Sequence, residues 1–396
     1  MKDLKHLFYF ENLLQEANND LVREAAARGE KAVGSVCSQI PEVLLDLPGC
    51  FSVRLRAPRT GSMEMGTYYM TSLLCECCRA LLERAIESGY KFLDCIMAPD
   101  ACAQMNRCVE NIDLQKLCDK EKFFITYSDV PMKSDETALR HYVRQMRLRV
   151  LEPLHEVYGI DVSDAALRKA VELHNELSRL ITAIGEFRKE EAPRITGYEF
   201  SVLCLATYCC PKAALLDRLR ETLEEVRGRE PDAPGKYRAR VVMVGSELDS
   251  PDLIKLAEDA GALVVADRFC FGSFPGRQEM ALAEGEDVLT QICRQYLASG
   301  QCPRFMDTAK INERKAYVDA LAKEFRADGI VYEQMKFCDY WGYERAAASH
   351  IMREEYGYPV LSIDVPYVVG NSGQLRTRVQ AFVESIEIKK IQGEAK

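Results

Sequence analysis

Apolar residues recur at every third and fourth position over residues 4–28, which predicts an opening helix. A short run, 31–35, reads as a strand and leads into Val36-Cys37-Ser38. Pro41 and Glu42 then predict a helix start, because proline's missing N–H costs nothing in a first turn. Residues 51–55 predict a strand, 80–88 an amphipathic helix, 92–98 a strand and 122–127 another strand. Such alternation argues for a parallel sheet covered on both faces. From 136 to 227 the pattern changes to long helical periods, at 136–157, 163–188 and 211–227. The apolar run EFSVLCLATYCCP between the last two is ambiguous. Arg140, Arg144 and Arg147 share one helical face, either a solvated stripe or a contact for phosphate or a partner. Residues 228–235, with Pro231 and Pro234, form the clearest boundary. Beyond it, strands at 240–244, 263–267, 330–334 and 360–365 alternate with helices at 252–260, 279–298, 310–326, 343–356 and 374–388. The expected fold class is α/β: two doubly wound, Rossmann- or flavodoxin-like parallel-sheet domains, 1–135 and 236–396, joined by a helical connector, 136–235.

Composition narrows the function. The chain has 396 residues, 47% of them hydrophobic, enough to bury more than one core, and a net charge of −9. An acidic balance argues against a nucleic-acid partner, which needs a basic surface. The start, MKDLKHLFYFENLL, lacks the unbroken apolar core of a secretion signal. No stretch approaches the roughly 18 apolar residues of a membrane span. A cytoplasmic protein without membrane contact is therefore expected.

Sixteen cysteines then need an explanation, since disulfides are disfavoured in a reducing compartment. Cys50, Cys95, Cys118, Cys204 and Cys293 read as small buried apolar side chains. With five histidines and none at zinc-finger spacing from a cysteine, an all-thiolate site suits iron–sulfur chemistry or zinc. Open parallel sheets bind ligands beyond the carboxyl ends of their strands. Cys37, Cys102, Cys270 and Cys338 each follow an expected strand, so all four are candidates for one shared cleft. Cys75-Glu76-Cys77-Cys78 is no standard cluster motif, because adjacent side chains diverge.

Four stretches together carry a resemblance. They are GSVCSQIPEVLL (34–45); the run from Cys75 to Ala80 with GYKFLDCIMAPDAC (89–102); VGSELDSP, VVADRFCFG and ADGIVYEQMKFCD in the last third; and GQLRTRVQAFVE (373–384). In these the chain resembles the 2-hydroxyacyl-CoA dehydratase and benzoyl-CoA reductase superfamily. The resemblance implies a four-iron, four-sulfide cluster (4Fe-4S) held by Cys75, Cys102 and Cys338, with one iron left open for substrate. It also implies oxygen sensitivity and a separate ATP-hydrolysing iron–sulfur activator that delivers the electron. In the dehydratases that electron forms a ketyl radical on an acyl-CoA thioester, from which water is eliminated.

By position in the matched N-terminal loop, Ser35, Ser38 and Glu42 are candidates for acid–base and hydrogen-bonding work. The alternative is that Ser38 caps a helix, Glu42 sits near its positive end and Ser35 merely ends a strand. Arg376 and Arg378 open the last helix, where they meet coenzyme A phosphates or remain solvated. The sequence also departs from the family's pattern: Cys77, Cys78 and Cys108 lie beside the expected ligands, with Cys270 near by. A related branch holds a double-cubane cluster (8Fe-9S), which needs about six thiolates per chain, acts as a homodimer and reduces small molecules. The surplus tilts the expectation toward that branch, with a 2-hydroxyacyl-CoA dehydratase subunit paired with a related subunit as the alternative. A non-catalytic cluster or zinc scaffold is the rival of another class. A plain nucleotide-binding protein has no Gly-rich or Walker loop to support it.

Overall fold

A computed structural model describes residues 1–233, 235–273, 278–369 and 372–394; Pro234 of the expected boundary lies outside the described residues. Two four-stranded sheets organise them. The first holds β1 (Lys31–Ser35), β2 (Cys50–Arg54), β3 (Cys95–Asp100) and β4 (Phe124–Asp129) in the order β2-β1-β3-β4. The second holds β5 (Ala239–Val244), β6 (Ala262–Arg268), β7 (Gly329–Met335) and β8 (Val360–Val365) in the order β6-β5-β7-β8. Every pairing is parallel. Both orders are the doubly wound 2-1-3-4 pattern, in which the chain reverses direction across the sheet between its first and third strands. The central strands β3, β5 and β7 are buried along nearly their whole length, the pattern expected when helices cover both faces. The expected α/β class with two doubly wound sheets is what the chain forms.

Strand positions follow the reading of the sequence closely, whereas helix boundaries move for identifiable reasons. The opening periodicity divides into helices Leu7–Leu13 and Asp20–Ala27, because the Asn19 side chain accepts the Val22 amide and caps a second start. The turn after Pro41 is a single 3-10 turn, Glu42–Leu45, rather than a full helix. The long period 136–157 becomes helix Glu136–Met146, a π-helical turn Arg147–Leu151, and helix Glu152–Tyr158. Pro153, which lacks an N–H, stands at the start of the last piece, and the widened turn absorbs it. The ambiguous apolar run is helix Gly197–Cys209, opened by a Thr196/Glu199 capping box. It is buried on almost all sides, so it shows no periodicity to read. Helices Glu64–Met70 and Ala103–Leu114 also form.

The two sheets share one core. A continuous cluster of buried residues runs from Val53, Ile96 and Leu81 of the first half to Val241, Val264 and Ile363 of the second. The N-terminal helix packs instead on the middle helices, through Phe10, Leu13, Phe200 and Leu203. Among the described residues no helix is long and apolar enough to cross a membrane.

Candidate functional site

The carboxyl ends of the two sheets face a common cavity. Its walls carry Cys37, Cys75, Cys77, Cys78, Cys102, Cys270, Cys302 and Cys338, together with Ser38, Gln104, Glu247 and Trp341. About 80 Å³ is open there to the centres of solvent molecules. One water needs only about 10–15 Å³ on that measure, so there is room for a polyatomic group. Among the described residues no three His, Cys, Asp or Glu side chains close on one point as a single-ion site would require. The thiols line a volume instead.

Three of the cysteines occupy equivalent local positions. Cys75, Cys102 and Cys338 are the N-cap residues of helices Glu76–Ile86, Ala103–Leu114 and Asp339–Glu354. At each of the three, first-turn amides of the helix point at the cysteine sulfur: Cys77 and Cys78 at Cys75, Gln104 and Met105 at Cys102, and Trp341 at Cys338. Each helix also presents the positive end of its dipole there, which favours thiolate over thiol. The consequences differ with surroundings. The Cys75 thiol is held well below its usual range, first by hydrogen bonding with Cys338, then with Cys78, aided by the amides of Cys78 and Cys77. Burial pushes Cys102 up to about 11 against the pull of the Met105 and Gln104 amides. The Cys338 thiol is raised, first by its partnership with Cys75 and then by burial.

Gln104 stitches these three loops together. Its Oε1 accepts the Cys75 amide at 2.5 Å, and its Nε2 donates to the Phe337 carbonyl at 3.0 Å and to Asp339 Oδ2 at 2.7 Å. It is two residues from Cys102, so one buried amide side chain binds the neighbours of all three cysteines. A second tie is the Glu76 amide donating to the Lys336 carbonyl, with Glu76 Oε2 accepting the Tyr367 amide. Phe337 has φ 65, a left-handed conformation that costs a bulky residue about 1–2 kcal/mol. That turn swings the chain from β7 into the helix that Cys338 caps.

The end of the cavity lined by Cys37, Glu247, Cys270 and Cys302 is backed by buried arginines that do not themselves line it. Arg54, at the end of β2, donates both ways to Glu247, at 2.7 and 2.9 Å, and to the Cys270 carbonyl at 3.0 Å. Its guanidinium stacks 4.4 Å from the Phe271 ring. Cys37 is raised first by burial, with Arg54 and Arg304 pulling it down. Cys302, pushed up to about 11 by burial, is opposed by the Arg304 and Arg268 charges. Cys270, raised well above the usual range by burial, is opposed by Arg54 and Arg268. Behind this end, Glu333 of β7 accepts from the Ser246 amide and hydroxyl, while burial lifts its carboxyl to about 8. Gly245 allows that contact, since any Cβ there would meet the Glu333 carboxylate.

The remaining candidates lie elsewhere. Cys108 is fully buried in the apolar core of helix Ala103–Leu114 and does not line the cavity. Ser38 lines it, but Ser35 is buried within β1. Glu42 faces Lys212 at 3.5 Å and His174 at 3.9 Å, beside the pair that Lys212 makes with Asp46 at 2.6 Å. Arg376 and Arg378 are exposed, and Arg378 donates to the Ser362 carbonyl. Sequence reasoning passed over Cys302, which follows a helix rather than a strand, and Gln104, an unremarkable residue until three loops converge on it.

The donors fit an iron–sulfur group. They are thiols with no imidazole among the described lining, and its two carboxylates, Glu247 and Asp339, are engaged by Arg54 and Gln104. Comparison with known proteins bears on what the cavity serves. A model of the family described as 2-hydroxyglutaryl-CoA dehydratase, D-component, matches residues 37–386. The (R)-phenyllactyl-CoA dehydratase beta subunit of Clostridium sporogenes is 26% identical over 379 residues, 95% of this chain and 97% of the relative. The beta subunit of (R)-2-hydroxyglutaryl-CoA dehydratase from Acidaminococcus fermentans is 24% identical, covering 91% and 93%. One of the subunits of benzoyl-CoA reductase from Thauera aromatica is 22% identical, covering 82% of each. With nearly its whole length matched, the chain is an enzyme component of the dehydratase and reductase type and belongs to the 2-hydroxyglutaryl-CoA dehydratase D-component family.

Proposed function

We propose that the chain is an iron–sulfur redox component in which Cys75, Cys102 and Cys338 hold a cluster, and that a separate ATP-hydrolysing iron–sulfur activator supplies its electrons. The observation that carries this reading is the meeting of three helix N-terminal cysteines, from both halves of the chain, in one sulfur-lined cavity. A bound cluster would supply low-potential one-electron chemistry. The chain's own part is to prepare the place. Helix N-termini favour thiolate at three points. Gln104 holds the three loops in register. The apolar wall, with Trp341 and Met105, limits water. Ser38 offers a hydroxyl that can hydrogen-bond a substrate oxygen.

Two versions differ in cluster size. Eight cysteines line the cavity, more than one four-iron cluster uses, and this favours a double-cubane reductase of small molecules. The relatives' names favour a 2-hydroxyacyl-CoA dehydratase subunit acting on an acyl-CoA. Those relatives are named as subunits, which supports assembly with a second copy or a related subunit. Metal and sulfide analysis after strictly anaerobic purification tests the reading. About eight irons per chain are expected for the first version and about four for the second. Zinc in place of iron, or no metal after reconstitution with iron and sulfide, would sink both.

A further inference from the structure

Buried charges gather behind Trp341, which forms part of the cavity wall. The Arg268 guanidinium lies 5.1 Å from the centre of the Trp341 ring. Arg268 is 1% exposed, and its Nε and Nη2 donate to Gln301. Three residues beyond Trp341 in helix Asp339–Glu354, Glu344 accepts from Arg314 Nη2 at 2.8 Å and from Lys315 Nζ at 3.3 Å. Arg314 also donates to the Phe305 carbonyl at 2.7 Å. Arg314, Lys315 and Glu344 are all more than nine-tenths buried. Burial raises the Glu344 carboxyl, but Arg314, Lys315 and Arg268 together hold it below its ordinary range. Three cations thus share this one carboxylate, and the group keeps a net positive charge where salt screens little. Its members repel one another: burial lowers the Lys315 ammonium, Arg314 and Arg268 add to that, and Glu344 opposes it. A negative charge in the cavity relieves the repulsion. The field reaches that far, since Arg268 acts against the burial that raises the Cys270 and Cys302 thiols of the cavity wall.

We propose that Arg268, Arg314 and Lys315 form a buried cationic group that stabilises added negative charge in the cavity and so raises the reduction potential of whatever is held there, with Glu344 as its partial counter-charge. This rests on the iron–sulfur reading proposed above and assigns residues that tune it. None of the four touches the reacting atoms. They are positioning residues that act through space and through the Trp341 wall. The potential of an iron–sulfur group depends on the charge around it, and a whole buried charge is a large term. In the step concerned, one electron passes from an external reductant to the group in the cavity. No bond of the chain forms or breaks, and the three cations keep their protons.

The test uses the full chain, reconstituted anaerobically with iron salt and sulfide. Its midpoint potential is read by electron paramagnetic resonance during titration with dithionite at one fixed pH. Lys315→Met removes a cation and should lower the potential. At a fixed applied potential the ratio of reduced to oxidised protein should fall about tenfold, the effect of one charge some 10 Å away in a protein interior. Glu344→Gln removes the anion and should raise the ratio by a similar factor. The double variant should return to the unaltered value, because its two charge changes cancel. Lys315→Arg keeps the charge and should not shift. Nor should Tyr332→Phe, a change without charge at a buried neighbour of Glu344. A wall that had merely loosened would shift both single variants the same way. Thermal unfolding of the metal-free forms shows which variants fold, and where one single variant does not, the sign of the other's shift carries the test. Single variants that shift in the same direction, or that match Tyr332→Phe, overturn the inference and leave the iron–sulfur reading standing. An unaltered chain that takes up no iron overturns both.

Discussion

The two ends of the cavity draw their positive potential from different sources. At one end, Cys75, Cys102 and Cys338 sit at the starts of three helices, and backbone dipoles supply the field. At the other, Cys37, Cys270 and Cys302 stand among the side chains Arg54, Arg268 and Arg304. A helix dipole comes with the fold and requires no counter-ion, so that end needs only a polar stitch, Gln104. A guanidinium is a whole charge and must be desolvated, so the other end is tied by an ion pair and stacked on Phe271. Backbone positioning is hard to abolish by one substitution, while side-chain positioning is easy to abolish.

Removing a ligand from the dipole end should have the largest effect. Cys75→Ser is expected to lose at least half the bound iron, measured as iron and sulfide per chain after anaerobic reconstitution. Next is the charged end. Arg54→Met leaves the half-buried Glu247 and the Cys270 carbonyl without their partner, and chemical denaturation of the metal-free protein should show a loss of about 3 kcal/mol. An effect no larger than that of a surface substitution would remove the distinction between the two ends. Gln104→Leu leaves the Cys75 amide, the Phe337 carbonyl and the Asp339 carboxylate without their shared partner. A loss of about 1–3 kcal/mol is expected on the same assay, with iron retained more weakly.

A pH-dependent effect is expected behind the charged end. The Glu333 carboxyl is raised to about 8 in the folded chain, against an ordinary value near 4.5. Between those values the folded state keeps a proton that the unfolded state releases. The unfolded state thus binds fewer protons, and this group's contribution to stability falls as pH rises from about 4.5 to about 8. Below that window the contribution is fully present. Denaturation of the metal-free protein at several pH values should show a fall that Glu333→Gln flattens. An unchanged slope would mean that Glu333 is ionised throughout. Arg376→Ala should change least, within about 0.5 kcal/mol, because the side chain is exposed and belongs to neither end.

Much of the fold could be read before any coordinates. Lys31–Ser35 and Val360–Val365 were legible to the residue, because short apolar runs between turn signals have few other uses. The helix Gly197–Cys209 was not legible, since burial on all sides erases the period that marks a helix. The strand-end rule drew attention to Cys37, Cys102, Cys270 and Cys338, and all four line the cavity. It could not reach Cys302, which no strand precedes, and it gave no reason to notice Arg304 or Gln104. Proximity in sequence also drew Cys108 into the candidates, although helix Ala103–Leu114 turns it toward the core.

Local pattern, by itself, determined two parallel sheets, their strands and the places where a chain leaving a strand can present a side chain to a ligand. Those properties depend on residues a few positions apart, which the amino-acid order states directly. The tertiary structure decided which of those places meet. The Arg54–Glu247 pair, the Gln104 bridge and the company kept by Cys302 join residues that are 193, 233 and 265 positions apart (302 − 37 = 265 for the last, taken to Cys37). Contacts at that distance exist only once two separately patterned sheets have packed on one core, because nothing in either partner's neighbourhood specifies the other.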